Sequence, residues 1–236
     1  MERIQFIDNI TLGGLIDEVN VERNLNVKAV NETRTIAVVG KGKGVNFVND
    51  FSLLNVGVLL KTVKRFDPQE VNEDEYQFYF TKPASKLKWV KGSTGIARTI
   101  KSDINIDEFI RASSLIIDNE EKIKYIISSL DDLLSYDIEG FVVFEENENG
   151  VVGVKIAKDE YSNMIEKVLF QVSGEVSPFF VRILKDNVKA VINYLVNSNL
   201  DIKRIIIGSS IPLIIMVENE IVELSYLISN VVEVEE

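Results

Sequence analysis

The sequence predicts an α+β protein made of two similar halves, and three observations carry that prediction. Short runs of alternating or β-branched apolar residues recur along all 236 residues, as half-buried strands require. Two longer segments break this alternation with apolar residues at helical spacing. Those two segments also align with each other at a shift of 128, which carries Phe51 onto Phe179, Lys61 onto Lys189, Val63 onto Val191 and Phe66 onto Tyr194.

Strands are expected at 25–30, 35–39, 76–80, 86–90, 141–144, 151–156, 204–207, 213–217 and 222–228. Asn149-Gly150 lies between two of these runs and signals a tight hairpin, because a primed turn needs the positive φ that Asn and Gly tolerate. One helix is expected over 51–66, with Leu53, Val56, Leu59, Leu60 and Val63 on its apolar face. Its copy is expected over 179–195, with Leu184, Val188, Val191, Ile192 and Leu195. The same shift carries 76–80 onto 204–208 and 94–100 onto 222–228, so a helix followed by three strands recurs. A weaker match upstream pairs a first helix at 10–19 with one at 122–134. A period of half the chain reads as a tandem pair of one unit rather than a solenoid. The segment 102–119 then reads as an interdomain connector, or in its second half as an ordinary strand and short helix.

Composition removes much chemistry. The chain has no Cys and no His, which excludes a Ser-His-Asp triad, a thiol nucleophile, a thiolate or imidazole zinc site and a disulfide. Asp131-Asp132 and Glu145-Glu146 are adjacent pairs, suggesting wetted surface more than a facing acid and base. An enzyme, such as a carboxylate-dependent hydrolase, is therefore not expected, nor is any cofactor or metal. The longest uncharged run, 205–217, is too short to cross a membrane and is broken by Gly208 and Pro212. The N-terminus has no basic region followed by an apolar one, so an intracellular setting is expected.

Charge is unevenly placed. The net charge is −11, yet the helix expected at 51–66 carries Lys61, Lys64 and Arg65 with no acid, and its copy carries Arg182, Lys185 and Lys189 at i, i+3 and i+7. Such a stripe can meet phosphates without reading bases, and it can equally be a solvated helix face. The other two expected helices are acidic or balanced. A second basic stretch, Lys82, Lys86, Lys88, Lys91, Arg98 and Lys101, is interleaved with Tyr76, Phe78, Tyr79, Phe80 and Trp89. It fits a stacking surface for single-stranded nucleic acid, and it fits aromatics facing a core with lysines facing water. Gly40-Lys-Gly-Lys-Gly44 lacks the GK(S/T) ending of a phosphate loop and is expected to be a flexible hairpin tip.

Several short motifs carry a resemblance. Ser209-Ser-Ile-Pro-Leu213, then Leu224-Ser-Tyr-Leu-Ile228, then the acidic end Glu235-Glu236 are similar to the last strands of sliding clamps of the proliferating cell nuclear antigen type. Residues 25–31 with Thr33 and Arg34 resemble the family's early strand pair, Ala29-Val-Asn31 resembling the T-even phage version, as do Lys86-Leu-Lys-Trp89 and Gly92-Ser-Thr94. The resemblance implies two similar clamp domains, 1–108 and 120–236, with 109–119 as connector. It implies a homotrimeric ring, helices lining a hole that holds double-stranded DNA and antiparallel sheets outside. Such a clamp tethers a DNA polymerase, is loaded by a clamp loader ATPase, performs no chemistry and, in a phage-like replisome, also assists late transcription. It would turn Lys61, Lys64, Arg65, Arg182, Lys185 and Lys189 toward DNA. Its partner pocket would use Val30, Ile106, Pro212, Leu227, Ile228, Ser229 and Asn230. This sequence departs from the family in having Ser229-Asn230 in place of Ala-Pro. The alternative from another class is a monomeric single-stranded nucleic-acid-binding module using residues 76–101.

Overall fold

The computed structural model describes residues 1–100, 104–146, 150–159, 162–172 and 179–231. The first half runs α1 (Glu2–Thr11), β1 (Glu18–Val21), β2 (Asn26–Val30), β3 (Ile36–Gly42), β4 (Phe51–Leu54), α2 (Val56–Phe66), β5 (Glu70–Glu73), β6 (Gln77–Lys82) and β7 (Ser85–Val90). After α3 (Ile106–Arg111) and β8 (Leu115–Ile117), the second runs α4 (Glu120–Ser135), β9 (Phe141–Glu146), β10 (Val151–Ala157), β11 (Ile165–Gln171), β12 (Phe180–Leu184), α5 (Lys185–Asn197), β13 (Asp201–Ile207), β14 (Leu213–Glu218) and β15 (Val222–Ile228). Both halves therefore read helix, four strands, helix, three strands. The repeat is present, although no constant shift describes it. β6 is the second strand after its helix and corresponds to β14, so 76–80 does not map onto 204–208. Residues 94–100 form no strand, and the counterpart of β15 is β7. Insertions in the turns of the second half move the offset from element to element.

The chain folds as two compact units: residues 1–104 with 218–225, and residues 105–217 with 226–236. In unit 1, β1 pairs with β4, β2 with β3, and β5-β6-β7 form an antiparallel three-stranded sheet. Its core holds the Phe6, Phe47, Phe51, Phe78 and Phe80 rings, with Phe47 5.2 Å and Phe78 5.4 Å from Phe51 between centroids. In unit 2, α4 and α5 cover one face of the antiparallel sheet β11-β10-β9-β12. Ile126, Leu130 and Leu133 of α4 and Val188, Val191 and Ile192 of α5 close over Val142, Phe144, Val154 and Ile183. The Asn149 hairpin position lies outside the described residues, but β9 and β10 do pair antiparallel and Gly150 has φ +73°. No described helix is long and apolar enough to cross a membrane.

Two expected helices begin elsewhere. The first is α1 at Glu2–Thr11 rather than 10–19; Ile4, Ile7 and Ile10 are buried at helical spacing, and Leu12, at φ +53°, ends the helix ahead of Gly13-Gly14. The segments 51–66 and 179–195 are each a strand followed by a helix: Phe51–Leu54 is paired with β1 and buried at Phe51, Ser52 and Leu53, and Val181 and Ile183 of β12 are buried with a period of two.

Within unit 1 one ion pair is sealed from water. Lys91 Nζ lies 3.0 Å from Glu73 Oε2, and both side chains are 1% exposed. The ammonium also donates to the Asp74 carbonyl at 2.7 Å and sits 4.7 Å above the Phe51 ring, while Glu73 Oε1 accepts the Val48 N–H. Lys91 thus ties the ends of β5 and β7 to the aromatic core instead of joining a basic surface. Removing one member strands a buried charge, so Lys91→Ala should lower unfolding free energy by about 3–5 kcal/mol. Urea denaturation checks this, with the exposed Lys88→Ala expected to stay within about 0.5 kcal/mol of the parent.

Candidate nucleic-acid interface and strand edges

Helix α2 buries Val56, Leu59 and Val63 and leaves Lys61, Lys64 and Arg65 exposed on the opposite side. None of the three makes an ion pair or hydrogen bond among the described residues. Its N-terminus is satisfied from a distance: the Val56 N–H donates to the Asp17 carbonyl at 3.0 Å and the Gly57 N–H to Asp17 Oδ1 at 2.9 Å. A carboxylate at the start and two cations in the last turn suit the helix dipole. Gly14, at φ +88°, makes this possible; a Cβ there would stand 2.5 Å from the Gly57 Cα.

The second basic stripe is not continuous. Arg182 lies on strand β12, not on a helix, which is a correction to the i, i+3, i+7 reading. Its guanidinium stacks 3.8 Å over the Phe141 ring and donates to the Lys158 carbonyl at 2.9 Å. Lys185 opens α5 half-buried, with Nζ donating to the Tyr136 and Ile138 carbonyls at 2.8 and 2.7 Å, just beyond the end of α4. It caps that helix. Only Lys189 stands exposed on α5 with no ion pair or hydrogen bond among the described residues. Acids dominate α4, where Glu120 pairs with Lys124 at 2.5 Å and Asp132 with Lys167 at 2.5 Å. Hydrogen bonding to these partners lowers the Glu120 carboxyl and raises Lys124, and Asp132 likewise raises Lys167.

The expected partner residues sort by exposure. Val30 is buried in unit 1. In unit 2, Leu227 and Ile228 are core side chains, the latter wholly inaccessible. Asn230 is half-buried and its amide donates to the Gly208 carbonyl at 3.2 Å and to that of Ile211, closing the turn that carries Pro212. Val30, near the end of β2, and Leu227 and Ile228, in the stretch of β15 buried on both faces from Leu224 to Ile228, offer little or no side-chain surface in this conformation. Ile106, Pro212 and Ser229 stay accessible to some degree, Ile106 as the first residue of α3 beside its cap Asn105.

The basic-aromatic stretch resolves into two faces. Register places Phe78 opposite Trp89 and Phe80 opposite Leu87, toward the core, and Tyr79 opposite Lys88 and Thr81 opposite Lys86, toward water. Lys86 Nζ lies 4.1 Å and Lys88 Nζ 5.7 Å from the centre of the Tyr79 ring, which occupies that ring and leaves it poorly placed to stack on a base. Arg98 is drawn to Glu18 and Glu32, and Lys101 lies outside the described residues. A groove of about 880 Å³ between α4, the end of α5 and the start of β13 mixes Asp118, Glu120, Asp131 and Asp201 with Lys124 and Lys203. Among the described residues no group of Asp or Glu is arranged to hold a metal.

What sequence reasoning missed is a strand edge. Gly40-Lys-Gly42 is not a hairpin tip but the end of β3, and the chain's last strand lies against it inside unit 1. The Lys43 N–H donates to the Ile221 carbonyl, and a Cβ on Gly40 would stand 2.2 Å from the Glu223 carbonyl oxygen. Lys43 near Ile221 and Gly40 near Glu223 mean that β3 and β15 run antiparallel. The corresponding strands, β11 for β3 and β7 for β15, each end a sheet and are paired on one side only among the described residues.

No protein-family model matches the sequence, and no curated protein matches it by sequence. Solved structures do. Proliferating cell nuclear antigen from Entamoeba histolytica aligns with a TM-score of 0.63 at 10% identity, covering 98% of this chain and 95% of that one. The chain has the sliding-clamp fold. The clamp from A. fulgidus, solved with the C-terminal region of FEN-1, aligns at 0.62 and 14% identity over 99% and 97% of the two chains. That from Thermococcus kodakaraensis aligns at 0.61 and 14% identity over 98% and 97%. Two similar α+β units with antiparallel sheets are thus the clamp architecture, as the sequence led us to expect.

The turn before β6 has a pH signature. Asp74 accepts the Tyr79 hydroxyl and the Tyr76 and Gln77 N–H groups at 2.8 and 2.9 Å, which holds its carboxyl below the ordinary 3.8 and pushes the Tyr79 phenol above 10.0. A lowered carboxyl stabilises the fold above its unfolded value, and the contribution disappears as pH falls through the folded one. Asp74→Asn should therefore flatten the loss of stability between about pH 4 and 2, read by thermal melts across that range. Equal acid slopes for the two proteins would refute it.

Proposed function

We propose that this chain is a DNA polymerase processivity factor: a sliding clamp whose copies close head to tail around duplex DNA. The observation that carries the reading is the β15–β3 contact. The last strand of the second repeat completes a sheet on the third strand of the first. Among the described residues the equivalent strands β7 and β11 lack that neighbour, and a second copy would supply it by the same geometry. Repeating a head-to-tail contact closes a ring, and three two-unit chains are the number proposed. The sheets then lie outside and the helices face the hole, with residues 1–108 and 120–236 as the domains and 109–119 between them.

The exposed Lys61, Lys64, Arg65 and Lys189 are the groups proposed to face DNA phosphates. They would hold the duplex loosely and without sequence preference, which is what sliding needs. Arg182 and Lys185 support the fold instead. An acidic remainder keeps the DNA off other surfaces. Pro212, Ser229 and Ile106 are proposed to receive apolar peptide segments of a polymerase and of the ATPase that opens the ring, supported by the A. fulgidus clamp, which was solved bound to the C-terminal region of FEN-1. Assembly from clamp chains has a parallel in the PCNA2–PCNA3 complex from Sulfolobus tokodaii. The chain holds DNA by topology, performs no chemistry and works inside the cell.

Light scattering at micromolar concentration should give about three times 26.7 kDa. Loaded protein should stay on closed circular DNA and run off a linear molecule; equal retention on both would sink the reading. Replacing Lys61, Lys64 and Lys189 with Ala should reduce the magnitude of the salt slope of duplex binding by about 2–3. Arg182→Ala and Lys185→Ala should leave that slope unchanged and lower the melting temperature instead, which a salt titration and a thermal melt separate.

A further inference from the structure

The two unpaired edges carry opposite charge. On β7 the outward residues Lys86, Lys88 and Val90 are exposed, Val90 by 73%, and neither lysine makes an ion pair among the described residues. Both ammonium groups are held on that face over the Tyr79 ring. On β11 the outward residues are Glu166, opposite Lys155, and Val168, opposite Gly153; Val168 is 58% exposed. Lys155 is already taken by Glu145 at 2.8 Å, so Glu166 has no cation of its own among the described residues.

The junction already formed inside unit 1 has the reverse arrangement. There the third-strand member is the cationic one: Lys43 Nζ on the β3 side lies 3.6 Å from Glu223 Oε2 on β15 and 3.4 Å from Glu218 Oε2, with exposed Lys41 two residues along. So β3 is positive and its partner β15 negative, whereas β11 is negative and β7 positive. Of the pairings these four edges could make, β7 with β3, β15 with β11, β7 with a second β7 and β11 with a second β11 all set like charges face to face. Like charges directly across a ladder destabilise it and opposite charges support it. Because β3 and β15 already occupy each other within the chain, the complementary pairing left to the two open edges is β7 with β11.

We propose that Lys86 and Lys88 on β7 of one copy and Glu166 on β11 of the next form a charge code that permits only the head-to-tail contact and rejects two-fold dimers. This rests on the clamp reading above and adds to it the residues that select the partner. Set antiparallel as β3 and β15 are, β7 and β11 would bring their outward charged residues onto facing strands, where cross-strand and diagonal neighbours interact. The same contact covers Val90 and Val168, two exposed apolar side chains on otherwise charged strands. Opposite-charge contacts also raise selectivity by penalising the wrong partner, more than they raise affinity for the right one.

Sedimentation velocity over a concentration series at about 0.1 M salt tests the code with four proteins: the parent, Lys86→Glu/Lys88→Glu, Glu166→Lys, and all three changes together. Each partial variant should dissociate at a concentration about tenfold or more above the parent, and the triple variant should regain most of that loss because the signs are restored. Thermal melts of the monomers should coincide, since the changes are on exposed side chains. An oligomeric parent whose variants assemble equally well would overturn the code and leave the ring standing, as would a triple variant no better than the partial ones. A parent that is monomeric throughout would overturn the ring and the code together.

Discussion

A β-strand presents hydrogen-bonding groups on two edges, and each edge in a folded chain must be paired, covered or left to water. In this protein that constraint organises both units. The last strand of the chain returns to pair with β3, and the approach is so close that position 40 admits only glycine. The repeat then leaves β7 and β11, in the place of β15 and β3, with no strand beside their outer edges among the described residues. An incomplete sheet that has a worked example of its own completion within the same molecule is the physical root of the assembly proposed for it.

What holds β7 in position is the sealed Lys91–Glu73 pair. Taking both charges out of water is costly, and the cost is offset by an aromatic ceiling and by the Asp74 carbonyl, the Asn49 side chain and the Val48 N–H around the pair. The pair fastens the end of β7 to the end of β5 and to the loop before β4. The outward lysines of β7 therefore sit on a strand anchored at its end by a buried pair.

The cations of the two second helices, and of the strand β12 that leads into the later one, divide by what lies beside them. Where a neighbouring helix ends, as α4 does at Tyr136, its open carbonyls attract a cation, and Lys185 is consumed there. Where an aromatic ring lies across the sheet, as Phe141 does, an arginine stacks on it. Lys61, Lys64, Arg65 and Lys189 stay exposed, with no ion pair or hydrogen bond among the described residues. A basic residue on a helix is in this way a binding group only after the fold has had first use of it.

Periodicity made most of this legible in advance. Nine strands, the helix at the start of the second repeat and the split of Phe78 from Lys88 across β6 and β7 all follow from local alternation, because a half-buried surface forces it. The missed strands β1, β4, β5, β8 and β12 are short or run straight into a helix, so their few residues carry too little pattern to separate, whereas β11 has seven residues but reads Ile-Glu-Lys-Val-Leu-Phe-Gln, without apolar–polar alternation. Arg182 was assigned to a helix for that reason, and the acid-free GKGKG run gave no sign that it was a docking edge. The sequence by itself determined the α+β class, the duplication, the absence of thiol and imidazole chemistry and where cations are plentiful. Which lysines are spent on carbonyls, which glycine receives a distant strand and which edges are left unpaired were decided only by tertiary structure, since each depends on groups brought together from far apart in the chain.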